Sequence, residues 1–503
     1  MICPGKGRTA VFLAVPAGIG YNHLLAERKV DILSPDSAFF LLCFFPALGL
    51  LYCLLPGERV RNGLLLAGSL VFCAFGRLSG LLLLLGFWLV NWLLGLGVMG
   101  AGKGRKPLAV FGVALDLAFL CAFKYLDFLL APLLPGASVA WKDLGLAAPL
   151  GVSFFTFKGI SFLIDTLRDP ERGCRRPLDL LLYLSFFPQL AAGPITRFAD
   201  FAPQLRGRQS SAEDLGEGLR RFILGLGKKL ILASACARLA DAAFAEGAAL
   251  SLPLAWLGAV GYLFQIYLDF SGYSDMAVGL GRCFGFRTPE NFDHPYIAGS
   301  ITEFWRRWHI SLSLWFRDYL YIPLGGNRKG KLRAALNKLI VFTLCGLWHG
   351  AAWTFVLWGL WHGLLSALET LGLPDPKKLT ASRPGRVLGH ICTLLAVCLG
   401  FVLFRAESLV SGWRVIAAMF SPGSLDAAAK TALLRAGNFR DILLLLAGIV
   451  VSLPLGQFFP KLRESLTAGR LRPLSYALCV LLLALCLMEL AAGGFAPFIY
   501  TQF

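Results

Sequence analysis

Leu339-Ile-Val-Phe-Thr-Leu-Cys-Gly-Leu-Trp-His349-Gly-Ala-Ala-Trp353-Thr-Phe-Val-Leu-Trp-Gly-Leu-Trp-His362-Gly-Leu-Leu-Ser-Ala-Leu368 is thirty residues long and holds no Asp, Glu, Lys or Arg. About 20 apolar residues suffice to cross the hydrocarbon core of a bilayer. As one helix the run would reach about 45 Å, too long for an untilted span. Gly346, Gly350 and Gly359 offer places to bend or pack closely. His349 and His362 are 13 apart, so on a straight helix they point about 140° away from each other and lie about 20 Å apart. That spacing excludes an i,i+4 metal pair. A neutral imidazole inside a membrane can serve as a general base near pH 7. A lone buried histidine is more often hydrogen-bonded across helices. For His349 the balance tips to function, because a second histidine, His309, and a polar stripe lie nearby in sequence.

The rest of the chain reads the same way. Of 503 residues 57% are apolar and 16% charged, against about 25% charged in an average soluble protein. This excludes disorder, a small disulfide scaffold and an ordinary cytosolic enzyme. Charge-poor runs include 38–57, 78–102, 107–123, 147–164, 251–268, 388–404, 442–460 and 473–488. Shorter ones, 63–76 and 178–192, suit buried or re-entrant segments. Together they predict an all-α polytopic integral membrane protein with roughly ten to twelve embedded helices. The 48 Lys+Arg against 30 Asp+Glu, a net +18, fit loops facing anionic lipid headgroups. No basic run with interleaved aromatics stands apart, which argues against nucleic acid. Thirteen cysteines form no C-x-x-C pair and mostly read as small buried hydrophobes inside apolar runs; no metal site is expected. Residues 1–30 read as an untypical extension with a short apolar stretch at 9–21. Residues 31–503 read as one membrane domain with a motif core at 262–363.

Two further segments bear polar groups that a membrane chain must account for. Tyr262, Gln265, Asp269 and Tyr273 fall within an arc of roughly 80° on a helix. Such a stripe can line a polar cavity, although Asp269 alone favours pairing with an Arg. Phe304, Trp308, Leu312, Trp315 and Tyr319 share one face of a helical pattern, with Arg306 and Arg317 opposite. This predicts an interfacial amphipathic helix over 304–319. The following loop, Tyr321 to Gly330 with Asn327 and Arg328, can present backbone N–H groups to a phosphate; a basic turn is an equal reading. No G-x-S-x-G elbow, H-E-x-x-H pair or P-loop is present. No internal repeat is visible, which weakens a proton-coupled transporter.

The runs Asn291-Phe-Asp-His-Pro-Tyr296, Phe304-Trp-Arg-Arg-Trp-His-Ile-Ser-Leu-Ser313, Phe316-Arg-Asp-Tyr-Leu-Tyr-Ile-Pro-Leu-Gly-Gly-Asn327 and Leu347-Trp-His-Gly-Ala-Ala-Trp353 resemble the membrane-bound O-acyltransferase (MBOAT) superfamily. More narrowly they resemble its bacterial alginate O-acetylation branch. Phe186-Phe-Pro-Gln-Leu-Ala-Ala-Gly-Pro-Ile195, Phe404-Arg-Ala-Glu407 and Pro497-Phe-Ile-Tyr500 agree. The stretch Phe72-Cys-Ala-Phe-Gly76 departs from the pattern, away from the histidines.

The resemblance implies a funnel-like multi-helix fold in the cytoplasmic (inner) membrane. It implies acyl transfer from a cytoplasmic thioester, acetyl-CoA or a related acetyl donor, to hydroxyls of an exported or cell-wall polysaccharide. A periplasmic acetyltransferase partner is expected beside membrane lipid and the polysaccharide, and no tightly bound cofactor. The catalytic histidine of the family falls on His349 and its second motif histidine on His309; His362 matches a recurrent histidine of less certain role. Asp269, Tyr273, Trp305, Arg306, Arg317, Asn327 and Trp353 are the expected substrate-binding residues, with the arginines meeting the phosphates of the donor. D-alanyl transfer from a carrier protein to teichoic acid is the alternative within the superfamily.

Overall fold

A computed structural model describes residues 33–100, 102–130, 148–208, 210–245, 249–379, 381–421 and 426–493. The extension at 1–30, its apolar stretch and the terminal Pro-Phe-Ile-Tyr lie outside the described residues. The chain is all-α: no strand occurs among the described residues. The elements used below are α1 (Phe45–Leu54), α2 (Glu58–Gly76), α3 (Leu78–Gly100), α4 (Arg105–Lys124), α5 (Val152–Arg168), α6 (Pro177–Ser185), α7 (Ala212–Gly227), α8 (Leu252–Cys283), α9 (Ile301–Arg307), α10 (Ile310–Phe316), α11 (Gly330–His349), α12 (Trp353–Leu371), α13 (Arg383–Arg405) and α14 (Arg472–Ala491).

Four helices among the described residues are long and apolar enough to cross a membrane: Leu78–Gly100, Gly102–Lys124, Arg383–Arg405 and Arg472–Ala491. Their outer faces expose Leu82, Val110, Ile391 and Leu481. Leucine is stable there because lipid tails are as apolar as its own side chain. Cys43, Cys53, Cys121 and Cys392 are also exposed, so the expectation that the apolar-run cysteines are buried fails for these four. The remaining apolar runs form shorter, interrupted or deeply buried helices. The 178–192 run is one: α6 stops at Ser185, a four-residue helix follows at Phe187–Leu190, and every residue from Leu180 to Leu190 is buried.

α8 is the mast of the fold. It has 32 residues, starts with Pro253 in its first turn and is buried along most of its length. A helix that is apolar nearly all round belongs inside a bundle. α7, α13 and the helix at Ser234–Phe244 pack against it. One hydrophobic core surrounds it, built from Tyr262, Trp308, Trp348, Trp358, Phe401 and Phe404. A second core, with Phe40, Phe72, Phe155 and Phe187, joins α1, α2, α5 and α6.

Two expectations are corrected. The 304–319 segment is not one amphipathic helix. It breaks into α9 and α10 at Trp308, which is extended, and His309, whose φ is 44°. Ile310 N donates to Asn291 O at 2.9 Å and Asp293 N to Arg307 O at 2.9 Å, so the 291–293 strip takes over the hydrogen bonds a helix would have made. Phe304, Trp305, Trp308, Leu312 and Trp315 are all buried, which removes this segment from the interface. The thirty-residue run is likewise not one rod. Gly350–Ala352 interrupts it, and α11 and α12 fold back as a tight hairpin.

Candidate active site

The hairpin works because two glycines meet. A Cβ on Gly359 would lie 2.3 Å from Phe342 O and 3.1 Å from Gly346 Cα. Only glycine lets the two backbones approach this closely, the small-residue contact common to membrane helices. The fold-back abolishes the 20 Å separation of the straight-helix reading. The His349 and His362 rings each lie 5.1 Å, edge to face, from the same indole, Trp358.

His309 joins them from the α9–α10 break. Its ring lies 6.3 Å from the Trp348 indole, and the His349 ring lies 4.9 Å from the same indole. Trp348 therefore bridges His309 to His349, and Trp358 bridges His349 to His362. All three histidines are at most 4% exposed. Phe270 packs edge-on against His309 at 4.6 Å, and Phe404 against His349 at 5.2 Å.

Hydrogen bonds sort two of the rings. Asn291 Oδ1 accepts from Ser311 N at 3.2 Å, and a backbone N–H can only donate. That assigns the amide orientation, with Nδ2 donating to Ser274 Oγ at 3.1 Å. His309 Nδ1, 3.2 Å from Asn291 Oδ1, must then carry its proton. The neutral ring keeps a lone pair on Nε2, which has no protein partner among the described residues. His362 is the reverse. The Trp305 indole N–H donates to His362 Nδ1 at 3.3 Å, so the neutral ring carries its proton on Nε2. One histidine presents an acceptor and the other a donor.

Beside them lie two further buried polar atoms without a protein partner among the described residues, Trp348 Nε1 and Trp358 Nε1; Tyr262 Oη and Gln265 Oε1 on α8 are two more. Buried polar groups are nearly always satisfied, so a cluster of exceptions marks a place where a ligand or water completes the site. Lys124 Nζ donates to Trp348 O at 2.6 Å, and Tyr125 Oη to the same oxygen at 3.3 Å. These two groups cap the end of α11, whose last residue is His349.

A cleft of about 940 Å³ with Arg220, Arg221, Lys228, Arg282 and Arg463 in its wall opens beside α7 and α8. A smaller cavity of about 220 Å³ shares Arg221, Lys228, Asp275 and His294 with it and ends on Ser271, Ser274 and Asn291. Asn291 thus belongs both to the wall of the cavity and to His309. The arginines are not free point charges: Arg221 holds Asp275 at 2.9 Å and also pairs with Glu290.

The expected binding residues divide. Trp305 sits among the histidines, and Tyr273 is buried on α8. Asp269 is paired with a lysine, not the expected arginine: Lys229 Nζ lies 2.5 Å from its Oδ1, and Asp36 lies 3.4 Å from the same Nζ. Arg306, Arg317, Asn327 and Trp353 are exposed, unlike the buried histidines. Arg317 pairs with Asp318 at 2.7 Å. Burial pushes the Asp318 carboxyl up, but hydrogen bonds and charge from Arg317 and Arg197 outweigh this and hold it below its ordinary value. Asn327 of the glycine loop is exposed, and it is Asn337, buried on α11, that holds the loop by donating to Gly326 O at 2.9 Å. Asn291, Trp348, Trp358 and Lys124 carry geometry that the sequence reading did not assign. The first two stood in the quoted motifs, and Lys124 directly follows an apolar run.

Known proteins resemble this chain over most of its length. The model of the family described as MBOAT, membrane-bound O-acyltransferase family, matches residues 155–374, which hold all three histidines. A probable alginate O-acetylase of Pseudomonas putida is 39% identical over 93% of this chain and 99% of its own length. A peptidoglycan O-acetyltransferase of Helicobacter pylori is 34% identical over 79% of this chain and 81% of its own. A teichoic acid D-alanyltransferase of Bacillus subtilis is 32% identical over 51% of this chain and 69% of its own. With near-complete coverage of an alginate O-acetylase and a family match across the histidine core, the chain belongs to the membrane-bound O-acyltransferase family.

Proposed function

We propose that this O-acyltransferase moves an acetyl group from a thioester donor to hydroxyls of an exported or cell-wall polysaccharide, with His349 as general base. The observation that carries the reading is the line of buried histidines, His309–Trp348–His349–Trp358–His362, inside a helical membrane core. Acyl transfer needs a base for the hydroxyl proton, a dry surrounding that limits thioester hydrolysis, and donors for the developing oxyanion. Buried imidazoles walled by Trp and Phe supply the first two.

His309 keeps a lone pair on Nε2 and can hold an N–H or O–H of donor or acceptor. The donor approaches through the basic cleft, which shares Arg221, Lys228, Asp275 and His294 with the smaller cavity that Asn291 lines. This moves the donor-binding assignment from Arg306 and Arg317 to Arg220, Arg221 and Lys228. Acetyl-CoA or another acetyl thioester on the cytoplasmic side of the inner membrane is the proposed donor. A periplasmic acetyltransferase is the proposed partner. The acetyl group is favoured over D-alanine because the alginate and peptidoglycan O-acetylating relatives are matched over 99% and 81% of their own length, against 69% for the D-alanyltransferase.

The test uses the whole chain in membranes, wild type against His349→Ala at equal protein level. Thiol release from acetyl-CoA and base-labile acetate on exported polysaccharide are both measured. Loss of both signals in the folded variant is expected. Full retention of either in His349→Ala removes His349 as the base.

A further inference from the structure

We infer that the indole N–H of Trp348 donates to the oxyanion that forms on the thioester carbonyl. The inference rests on the reading of His349 as base. Three observations point to this one group. Trp348 Nε1 is a buried donor without a protein acceptor among the described residues, on a residue 5% exposed. An indole N–H can only donate, so a buried one without an acceptor costs about 1–3 kcal/mol unless something else accepts from it.

Its ring lies between the two imidazoles, 6.3 Å from His309 and 4.9 Å from His349. A carbonyl carbon within reach of a hydroxyl held by His349 puts its oxygen in the same small space. The third observation is charge. Lys124 Nζ stands 5.6 Å over the Trp348 ring. A cation on the indole face draws electron density from the ring and makes its N–H a stronger donor.

The ring itself is held still. It stacks on Phe157 at 5.4 Å with 24° between planes, and Phe154 meets it edge-on at 5.6 Å. A fixed donor loses no reorganisation energy as charge develops, which is what oxyanion stabilisation requires. Trp358 Nε1 is also without an acceptor among the described residues, but its ring packs on His349 and His362, whereas the Trp348 ring meets His309 as well as His349 and has Lys124 over its face.

In the step itself the acceptor hydroxyl oxygen bonds to the thioester carbon as its proton passes to His349. The carbonyl π pair moves onto oxygen, where Trp348 N–H meets it. The pair then returns, the C–S bond breaks, and the proton passes from His349 to the departing sulfur. Ester and thiol result, with no oxidant or further reactant.

The test replaces Trp348 by 3-benzothienylalanine, which keeps the shape of the ring and exchanges N–H for sulfur. Membranes holding the full chain are assayed with acetyl-CoA as donor, alongside the same exchange at Trp358 and the variant His349→Ala. The expected result is a kcat about 10²-fold lower at position 348, with KM for acetyl-CoA within about twofold and unchanged thermal stability. A smaller loss is expected at position 358. Retained kcat in the position-348 isostere overturns the inference, as does a larger loss at 358 than at 348. Retained turnover in His349→Ala instead overturns the base reading, so the two failures are separable. Trp348→Phe, read as acetate on exported polysaccharide in cells, gives a second measure in which the donor is the cell's own.

Discussion

Asn291 Oδ1 and His309 Nδ1 lie 3.2 Å apart, and the same oxygen accepts from Ser311 N at 3.2 Å and Ser311 Oγ at 2.9 Å. One amide therefore holds the break between α9 and α10 open and selects the tautomer of the histidine within it. His309 sits at φ 44°, a left-handed backbone that costs an L-residue roughly 1–2 kcal/mol.

Asn291→Ala removes the acceptor from both ring and backbone. Activity is expected to fall at least tenfold, and stability by about 1–3 kcal/mol. Acetate on exported polysaccharide at matched protein level reads the first, and thermal unfolding in detergent the second. Asn291→Asp keeps the acceptor oxygen and should retain more activity than the alanine variant. Equal activity in the two variants would mean that the oxygen of Asn291 does not orient His309.

Lys124 yields a second prediction. Its Nζ and Tyr125 Oη both donate to Trp348 O, the carbonyl just before His349. The final carbonyls of a helix lack intrahelical donors, and a cation there complements the helix dipole. Lys124→Met should lower kcat about tenfold while KM for acetyl-CoA stays within twofold; Lys124→Arg should recover part of the loss. A pure KM effect would place Lys124 in donor binding instead.

Much of this was legible in residues and some was not. The all-α membrane fold follows from charge-free apolar runs, and the choice of His349 and His309 as candidates from motifs that need no geometry. The α11–α12 hairpin was half legible. Its glycines were visible, but which pair meets depends on backbone approach, and that brought His349 and His362 onto one indole. The single 304–319 helix failed for a different reason. Its apolar positions repeat with helical period, yet Asn291, far away in sequence, supplies competing hydrogen bonds that end the helix at Arg307. Asp269 shows the same limit: its partner Lys229 comes from a segment whose pattern marks only another basic gap.

The glycine contact is testable by itself. In Gly359→Ala the new Cβ meets Phe342 O at 2.3 Å, a backbone atom that cannot rotate away. Overpacking of this kind costs about 1–3 kcal/mol. Gly86→Ala, in α3 with nothing within 4 Å of the new carbon, is the comparison and should be neutral or stabilising by up to about 1 kcal/mol. Thermal unfolding of the two side by side decides it, and equal midpoints would show that the hairpin absorbs the methyl.

The buried triad of Asp36, Lys229 and Asp269 makes the largest prediction. Lys229 is 1% exposed and Asp36 2%, with Lys229 Nζ 3.4 Å from Asp36 and 2.5 Å from Asp269. Two carboxylates share one ammonium, so the lysine holds together charges that would otherwise repel. Removing one partner of a buried ion pair costs about 3–5 kcal/mol, because the other charge stays buried without compensation. Lys229→Met leaves two such carboxylates and is expected at or above that range, seen as loss of folded protein from the membrane. The compensated variant Lys229→Met/Asp36→Asn/Asp269→Asn carries no buried charge at these positions and should return to the membrane at near wild-type levels. Recovery of polysaccharide acetylation along with the protein would make the triad a structural strut. Recovery of protein without acetylation would mean that Asp269, one turn from Gln265 on the polar stripe of α8, contacts the substrate as well.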